Sequence, residues 1–181
     1  AGRMDNAREV IEMFLTSDDG RARAIAQRLD TLNLERQKTG EAIVIDPGDD
    51  APEVLCRLKA HGLKPKAVLI THTHLDHVGG NHEVREATGA KVMLHEKDLP
   101  LYDNLPMQAR MIGLATPTRG AVDEHIHQGD VIPFGSKGDK VEVLFTPGHT
   151  PGSCSFFVPG HNLLLSGDTL FSGSIGRTDL P

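Results

Sequence analysis

The segment Thr71-His72-Thr73-His74-Leu75-Asp76-His77 follows directly on the apolar run Ala67-Val-Leu-Ile70. A core strand that ends in such a cluster must open into a loop where the polar groups converge, or leave them scattered in solvent at its end. On extended backbone His72 and His74 project to the same side, so two imidazoles can meet one cation. Asp76 and His77 stand at the entrance of the next helix and can turn toward a second position. Any one of these histidines alone would read as a surface residue or a helix cap. The spacing His-x-His-x-Asp-His at a strand end argues instead for a metal site.

Two further segments carry ligand-type residues in strand-end loops. Thr146-Pro-Gly-His149-Thr-Pro-Gly152 follows a strand ending at Phe145, and Ser166-Gly-Asp168-Thr169 follows Leu163-Leu-Leu165. Pro and Gly on both sides of His149 make a rigid turn able to present one imidazole. A Gly-Asp turn is ordinary by itself, and Asp168 gains weight only beside the other two segments. His61, His82, His95, His125, His127 and His161 have no comparable frame and read as structural or solvated, although strand alternation could bring His125 and His127 together. Cys154 reads as a small packed side chain rather than a nucleophile.

Around these loops the pattern is a β-α-β-α-β run: strand Ala42–Ile45, helix 51–61, strand Ala67–Ile70, helix 78–88 and strand Lys91–Leu94. Residues 98–121, punctuated by Pro and Met, read as a short helix or lid. Strands then recur at Ile126, Val131–Ile132, Val141–Phe145, Ser155–Val158 and Leu163–Leu165. The order suits a layered α/β architecture in which helices cover one face of each of two sheets. Residues 1–38 differ. Val10, Ile11, Phe14 and Leu15, then Ile25, Leu29 and Leu32, sit at helical spacing, and Ser17-Asp-Asp-Gly20 supplies a cap between them. Two helices, about 5–16 and 18–37, are expected there, ahead of a domain spanning 39–181.

At 181 residues the chain holds one domain, or one domain and an appendage. A net charge of −6 disfavours nucleic acid as a partner. Two widely spaced cysteines, Cys56 and Cys154, indicate neither a disulfide framework nor a zinc ribbon and suit a reducing compartment. Apolar runs are too short for a membrane span, and no secretory signal is evident, so a cytoplasmic protein with no membrane partner is expected.

From about Gly40 to Pro181 the chain resembles the metallo-β-lactamase-fold hydrolases, particularly the small glyoxalase II-like group. The resemblance rests on Val44-Ile-Asp46-Pro-Gly48, Thr71-His-Thr-His-Leu-Asp-His-Val-Gly-Gly80, Thr146-Pro-Gly-His-Thr-Pro-Gly-Ser153 and Leu165-Ser-Gly-Asp-Thr-Leu-Phe171, running into Gly173–Leu180. It implies an αββα sandwich in which His72, His74 and His149 bind one metal, Asp76 and His77 bind a second, and Asp168 bridges the two. It also implies zinc, as one or two ions, with iron or manganese as alternatives. The implied reaction is hydrolysis of a hydroxyacyl-glutathione-like thioester, a small-molecule substrate, by metal-bound hydroxide, with Asp76 the candidate catalytic carboxylate. A second branch of the fold, the persulfide dioxygenases, would place one iron on His72, His149 and Asp168. Asp76-His77-Val-Gly-Gly80 and the intact first triad favour the hydrolase.

Two departures from the family pattern set further expectations. The family opens with a strand hairpin, whereas residues 1–38 read as helical and resemble a connecting region of bacterial DHH-family single-strand-DNA exonucleases, without that family's Asp-His-His motif. The sequence stops at Asp179-Leu-Pro181, before the helix, strand and Gly-His-Gly turn whose histidine completes the second metal position in the family. These departures lead us to expect an incomplete αββα sandwich, a weakened second metal position and a truncated or chimeric chain. They also predict an exposed apolar surface able to recruit a second copy of the chain. An inactive protein that keeps metal for stability alone is the non-enzymatic alternative.

Overall fold

The computed structural model describes residues 11–12, 40–135 and 139–179. Five strands form one sheet in chain order: β1 (Ile11–Glu12), β2 (Glu41–Ile45), β3 (Lys64–Leu69), β4 (Lys91–Leu94) and β5 (Glu124–His125). Every neighbouring pair is parallel, so each return requires a crossover. Between β2 and β3 it is α1 (Ala51–His61), started by Asp50, whose carboxylate accepts from the Glu53 N–H at 3.1 Å, and by Pro52 in the first turn. Between β3 and β4 it is α2 (Leu75–Val78) with α3 (Asn81–Thr88), and between β4 and β5 it is α4 (Leu99–Asp103) with α5 (Leu105–Ile112).

Side chains alternate between two cores along β2. Ala42 and Val44 pack with Val54, Leu58, Val84 and Tyr102 on the helical side, while Ile43 and Ile45 face the second sheet. Burial of both faces explains why these strands are continuous apolar runs rather than alternating ones. The second sheet is antiparallel, in the order β6 (Val131–Phe134), β7 (Asp139–Phe145), β8 (Cys154–Val158) and β9 (Leu163–Leu165). Phe134, Val141, Val143, Phe156 and Leu165 fill the space between the sheets against Ile43, Ile45 and Leu69. Helices, parallel sheet and antiparallel sheet thus stack as an incomplete αββα sandwich, and among the described residues helices cover the parallel sheet alone rather than one face of each sheet. The outer face of the second sheet carries Val131 and Leu164, which are 51% and 44% exposed. A small hairpin, β10 (Leu170–Phe171) with β11 (Ser174–Ile175), follows β9.

Three local features differ from the sequence expectations. The helix expected over 78–88 starts earlier and breaks at Gly79-Gly80, where the Gly80 N–H donates to the Gly48 carbonyl instead of continuing a helical ladder. The segment 98–121 contains two helices, not one. Of the expected helix over 5–16, only Ile11–Glu12 are described, and they pair as a strand, Ile11 opposite Val44 and Glu12 opposite Ile45. Extended backbone there satisfies the open edge of β2, a long-range demand that helical spacing in the sequence cannot reveal. The expected helix over 18–37 lies outside the described residues. Among the described residues no helix is long and apolar enough to cross a membrane.

Candidate metal centre

The candidate ligands occupy loops that leave the carboxyl ends of strands, the place where open α/β sheets present their sites. Asp46 follows β2, the His72–His77 segment follows β3, His149 follows β7 and Asp168 follows β9. The two sheets are pinned together here, since the Cys154 N–H donates to the Thr71 carbonyl at 2.8 Å. That link brings the loop after β3 against the loop after β7.

Four imidazoles meet at this seam. The ring centroid of His72 lies 4.8 Å from that of His74, 4.0 Å from His77 and 4.7 Å from His149, and His74 lies 4.7 Å from His149. Ligand atoms of His72, His74 and His149 fall within 4.8 Å of one another, and so do those of His72, His77 and Asp168. Asp168 sits between the groups, with Oδ1 3.6 Å from His77 Nε2 and Oδ2 3.7 Å from His149 Nε2. Asp76 is half exposed at the rim, its Oδ2 3.8 Å from His77 Nε2, and belongs to neither close-set triad. The other six histidines stand apart. His95 stacks on Phe145, His127 faces Glu96 and Asp130, and His125 is exposed on β5.

Hydrogen bonds set which nitrogen of each ring faces inward. Thr71 donates its hydroxyl to Asp46 Oδ2 at 2.6 Å, so its oxygen is left to accept from His72 Nδ1 at 3.1 Å. His72 is thereby the Nδ1–H tautomer, with the lone pair of Nε2 directed into the cluster. That nitrogen is buried and has no hydrogen-bond partner among the described residues. His149 Nδ1 donates to the Arg177 carbonyl at 2.8 Å, which likewise turns the Nε2 lone pair inward, 3.0 Å from His74 Nδ1. His77 Nδ1 donates to Asp46 Oδ2 at 3.0 Å. Asp46 also accepts the Thr71 N–H at 2.8 Å and holds a left-handed backbone (φ 46°), a conformation of some cost that Asp tolerates better than most residues.

Electrostatics separate the four rings. Burial, reinforced by the neighbouring imidazoles, holds His72 well below the ordinary histidine range, and burial with the nearby His149 pushes His74 down to about 4. Burial opposes the charged form of His77 too, but Asp46 and Asp168 outweigh it and push this ring up to about 10. Burial likewise works to raise Asp168, yet its hydrogen bond and charge attraction to His77 hold the carboxyl below the usual carboxylate range. The donor set is nitrogen and carboxylate oxygen without thiolate, which suits zinc, iron or manganese. An unpartnered buried imidazole nitrogen inside such a set fits a bound cation.

Above the centre lies a cavity of about 460 Å³, walled by Leu75, Leu101, Met111, Ile112, Phe171 and Arg177, with His74, Asp76, His149 and Asp168 among its floor and rim residues. Asp46, Thr71 and the Arg177 carbonyl carry no site role in the sequence reading. Asp46 lay within a recognised motif, but its partners are 25 and 31 residues away. A main-chain carbonyl leaves no trace in side-chain identity.

The model of the Metallo-beta-lactamase superfamily matches residues 35–181, and the chain belongs to that superfamily of metal-binding hydrolases. Among relatives, it is 39% identical over 146 residues to the probable metallo-hydrolase YqgX of Bacillus subtilis, covering 77% of this chain and 66% of that protein. It is 37% identical over 142 residues to the hydroxyacylglutathione hydrolase GloC of Haemophilus influenzae, with the same two coverages. Among solved structures, the BLEG-1 B3 metallo-beta-lactamase superposes with a TM-score of 0.72 at 35% identity, over 81% of this chain and 70% of that one. The di-iron-bound form of TTHA1623 gives 0.67 at 40% identity, over 76% and 66%. The chain spans about two thirds of the length of the curated relatives it matches.

Proposed function

We propose that this centre hydrolyses a small thioester of the hydroxyacyl-glutathione class, with His72, His74 and His149 holding one divalent cation, Asp76 and His77 a second, and Asp168 bridging the two. The observation that carries this reading is the gathering of His72, His74 and His149 in one ligand group and of His77 and Asp168 in an overlapping second group, with Asp76 at the rim 3.8 Å from His77 Nε2, beneath a cavity with an apolar wall. The similarity to a hydroxyacylglutathione hydrolase gives the substrate class its support. When bound, divalent cations at such a centre acidify water and polarise a carbonyl oxygen.

The chain's own residues do the rest. Leu101, Met111 and Ile112 offer an apolar wall for the acyl carbons and the methylene on the thioester sulfur, while the Arg177 guanidinium beside them is held by the Asp179 carboxylate at 2.8 and 2.9 Å. Asp76, half exposed beside the cavity, would accept the proton of the attacking water as its oxygen adds to the carbonyl carbon. The carbon–sulfur bond then breaks, and the leaving thiolate takes up a proton to give a thiol and a carboxylic acid. Cys56 and Cys154 are both free, in keeping with the cytoplasmic setting expected for this substrate.

The test is metal analysis of the purified chain coupled to hydrolysis of lactoyl-glutathione. Near two ions per chain with turnover is the expected result, and Asp76→Asn should then lower kcat by about 10²- to 10⁴-fold. Full loading without turnover would overturn the thioester reading, and a single iron per chain would redirect it to the oxygenase branch.

A further inference from the structure

We propose that Asp98, which lies outside both ligand groups, is a positioning residue that sets the distance between the two histidine-bearing loops. Asp98 follows β4 at the end of a single 3₁₀ turn, and it is buried. Its carboxylate reaches into both loops at once. Oδ2 accepts the Thr73 N–H at 3.0 Å and the Thr150 hydroxyl at 2.9 Å, and Oδ1 accepts the Gly152 N–H at 2.6 Å. The Asp98 carbonyl accepts the Thr73 hydroxyl at 3.1 Å as a fourth tie.

The placement of these partners gives the inference its force. Thr73 stands between His72 and His74, and Thr150 is bonded directly to His149. One carboxylate therefore fixes the backbone that carries all three ligands of the first group, though it touches none of the imidazoles. The fit leaves no slack, because a Cβ built on Gly152 would lie 2.6 Å from Asp98 Oδ1 and 2.7 Å from Asp98 N. Buried ionisable groups are retained only when their hydrogen bonds are met, and here both carboxylate oxygens are engaged, Oδ2 by the two loops together and Oδ1 by the loop that carries His149. Groups that orient metal ligands in this way govern affinity without contacting the metal.

The full chain, stripped and titrated with cobalt(II) against a competing chelator, supplies the test. Asp98→Asn keeps the volume but turns an amide N–H₂ toward donors that need an acceptor. The expected result is a loss of cobalt affinity of about 10- to 100-fold together with an altered cobalt absorption band, while the circular dichroism stays that of the wild type. An Asn variant that melts earlier without metal, yet binds cobalt within about twofold of the wild type with the same band, would reduce Asp98 to a structural residue and overturn the proposal. If Asp98→Asn does not fold, Thr150→Val and Thr150→Ser decide. Weaker cobalt binding in the Val variant, restored in the Ser variant that keeps the hydroxyl, supports the proposal, and equal binding in both refutes it. Cobalt affinity is read without thioester turnover, so this test stands or falls apart from the substrate reading.

Discussion

At the residue scale the histidines pull stability in opposite directions with pH. The folded-state values of His72 and His74 lie below the unfolded value of about 6.5, so the unfolded chain takes up their protons first and stability falls as pH drops below that value. His77 is raised to about 10, so its contribution is full below about 6.5 and is lost as pH climbs toward that folded-state value. Metal-free protein should therefore be most stable near pH 6.5, measured as the urea midpoint across pH 5–9, and a steady rise over that range would contradict this assignment. Cysteine chemistry gives a second check. Burial pushes the Cys154 thiol up to about 12, whereas Cys56 is exposed, so a thiol reagent at pH 8 should label Cys56 alone until denaturant releases Cys154. The convergence of His72, His74, His77, His149 and Asp168 at one seam was legible in the sequence because imidazole and carboxylate declare their chemistry by identity and spacing, whereas Asp76 stands at the rim outside both groups. Asp46 and Asp98 were not legible as site residues, since each acts through partners brought close only by the fold.

At the element scale the β10–β11 hairpin is more than a closing turn. Gly176 packs so tightly that a methyl group there would overlap the Asp168 carbonyl, and the next residue supplies the carbonyl that orients His149. Gly176→Ala should thus cost about 1–3 kcal/mol by overpacking, seen as a lowered melting temperature, and should weaken metal binding in the same variant. Loss of neither would show that the hairpin adapts without disturbing Asp168 or His149. This hairpin left no sequence signal, because two-residue strands are too short to show a period. Helix α1 and strands β4 and β9 were read with their observed bounds, where caps or turns flank clear apolar patterns. The break between α2 and α3 was missed because the tie from Gly80 to Gly48 is a contact between loops.

At the scale of the whole molecule, four buried or half-buried imidazoles and a carboxylate gathered at one seam are a concentration of polar groups that a ligand should relieve. A cation that binds only the folded chain stabilises it by about 2.7 kcal/mol at a hundred times its Kd, which for a chain of this size raises the melting temperature by roughly 5–10 °C. Scanning calorimetry with added zinc and with chelator checks this, and coincident transitions would deny the site its metal. The two-sheet sandwich was legible from strand order and from the doubly buried runs of the parallel sheet. The strand at Ile11–Glu12 was not, since its pairing depends on an edge elsewhere in the chain.

The seam that holds His74 against His149 joins residues 75 positions apart. Closing so long a span costs chain entropy before any ligand geometry exists, so the imidazole set should be completed late in folding, when the parallel sheet meets the antiparallel one. Either half alone holds an unfinished set of ligands. A cobalt absorption band at this centre should then act as an optical clock for the last step of assembly, rising in a refolding chain only when its two sheets dock.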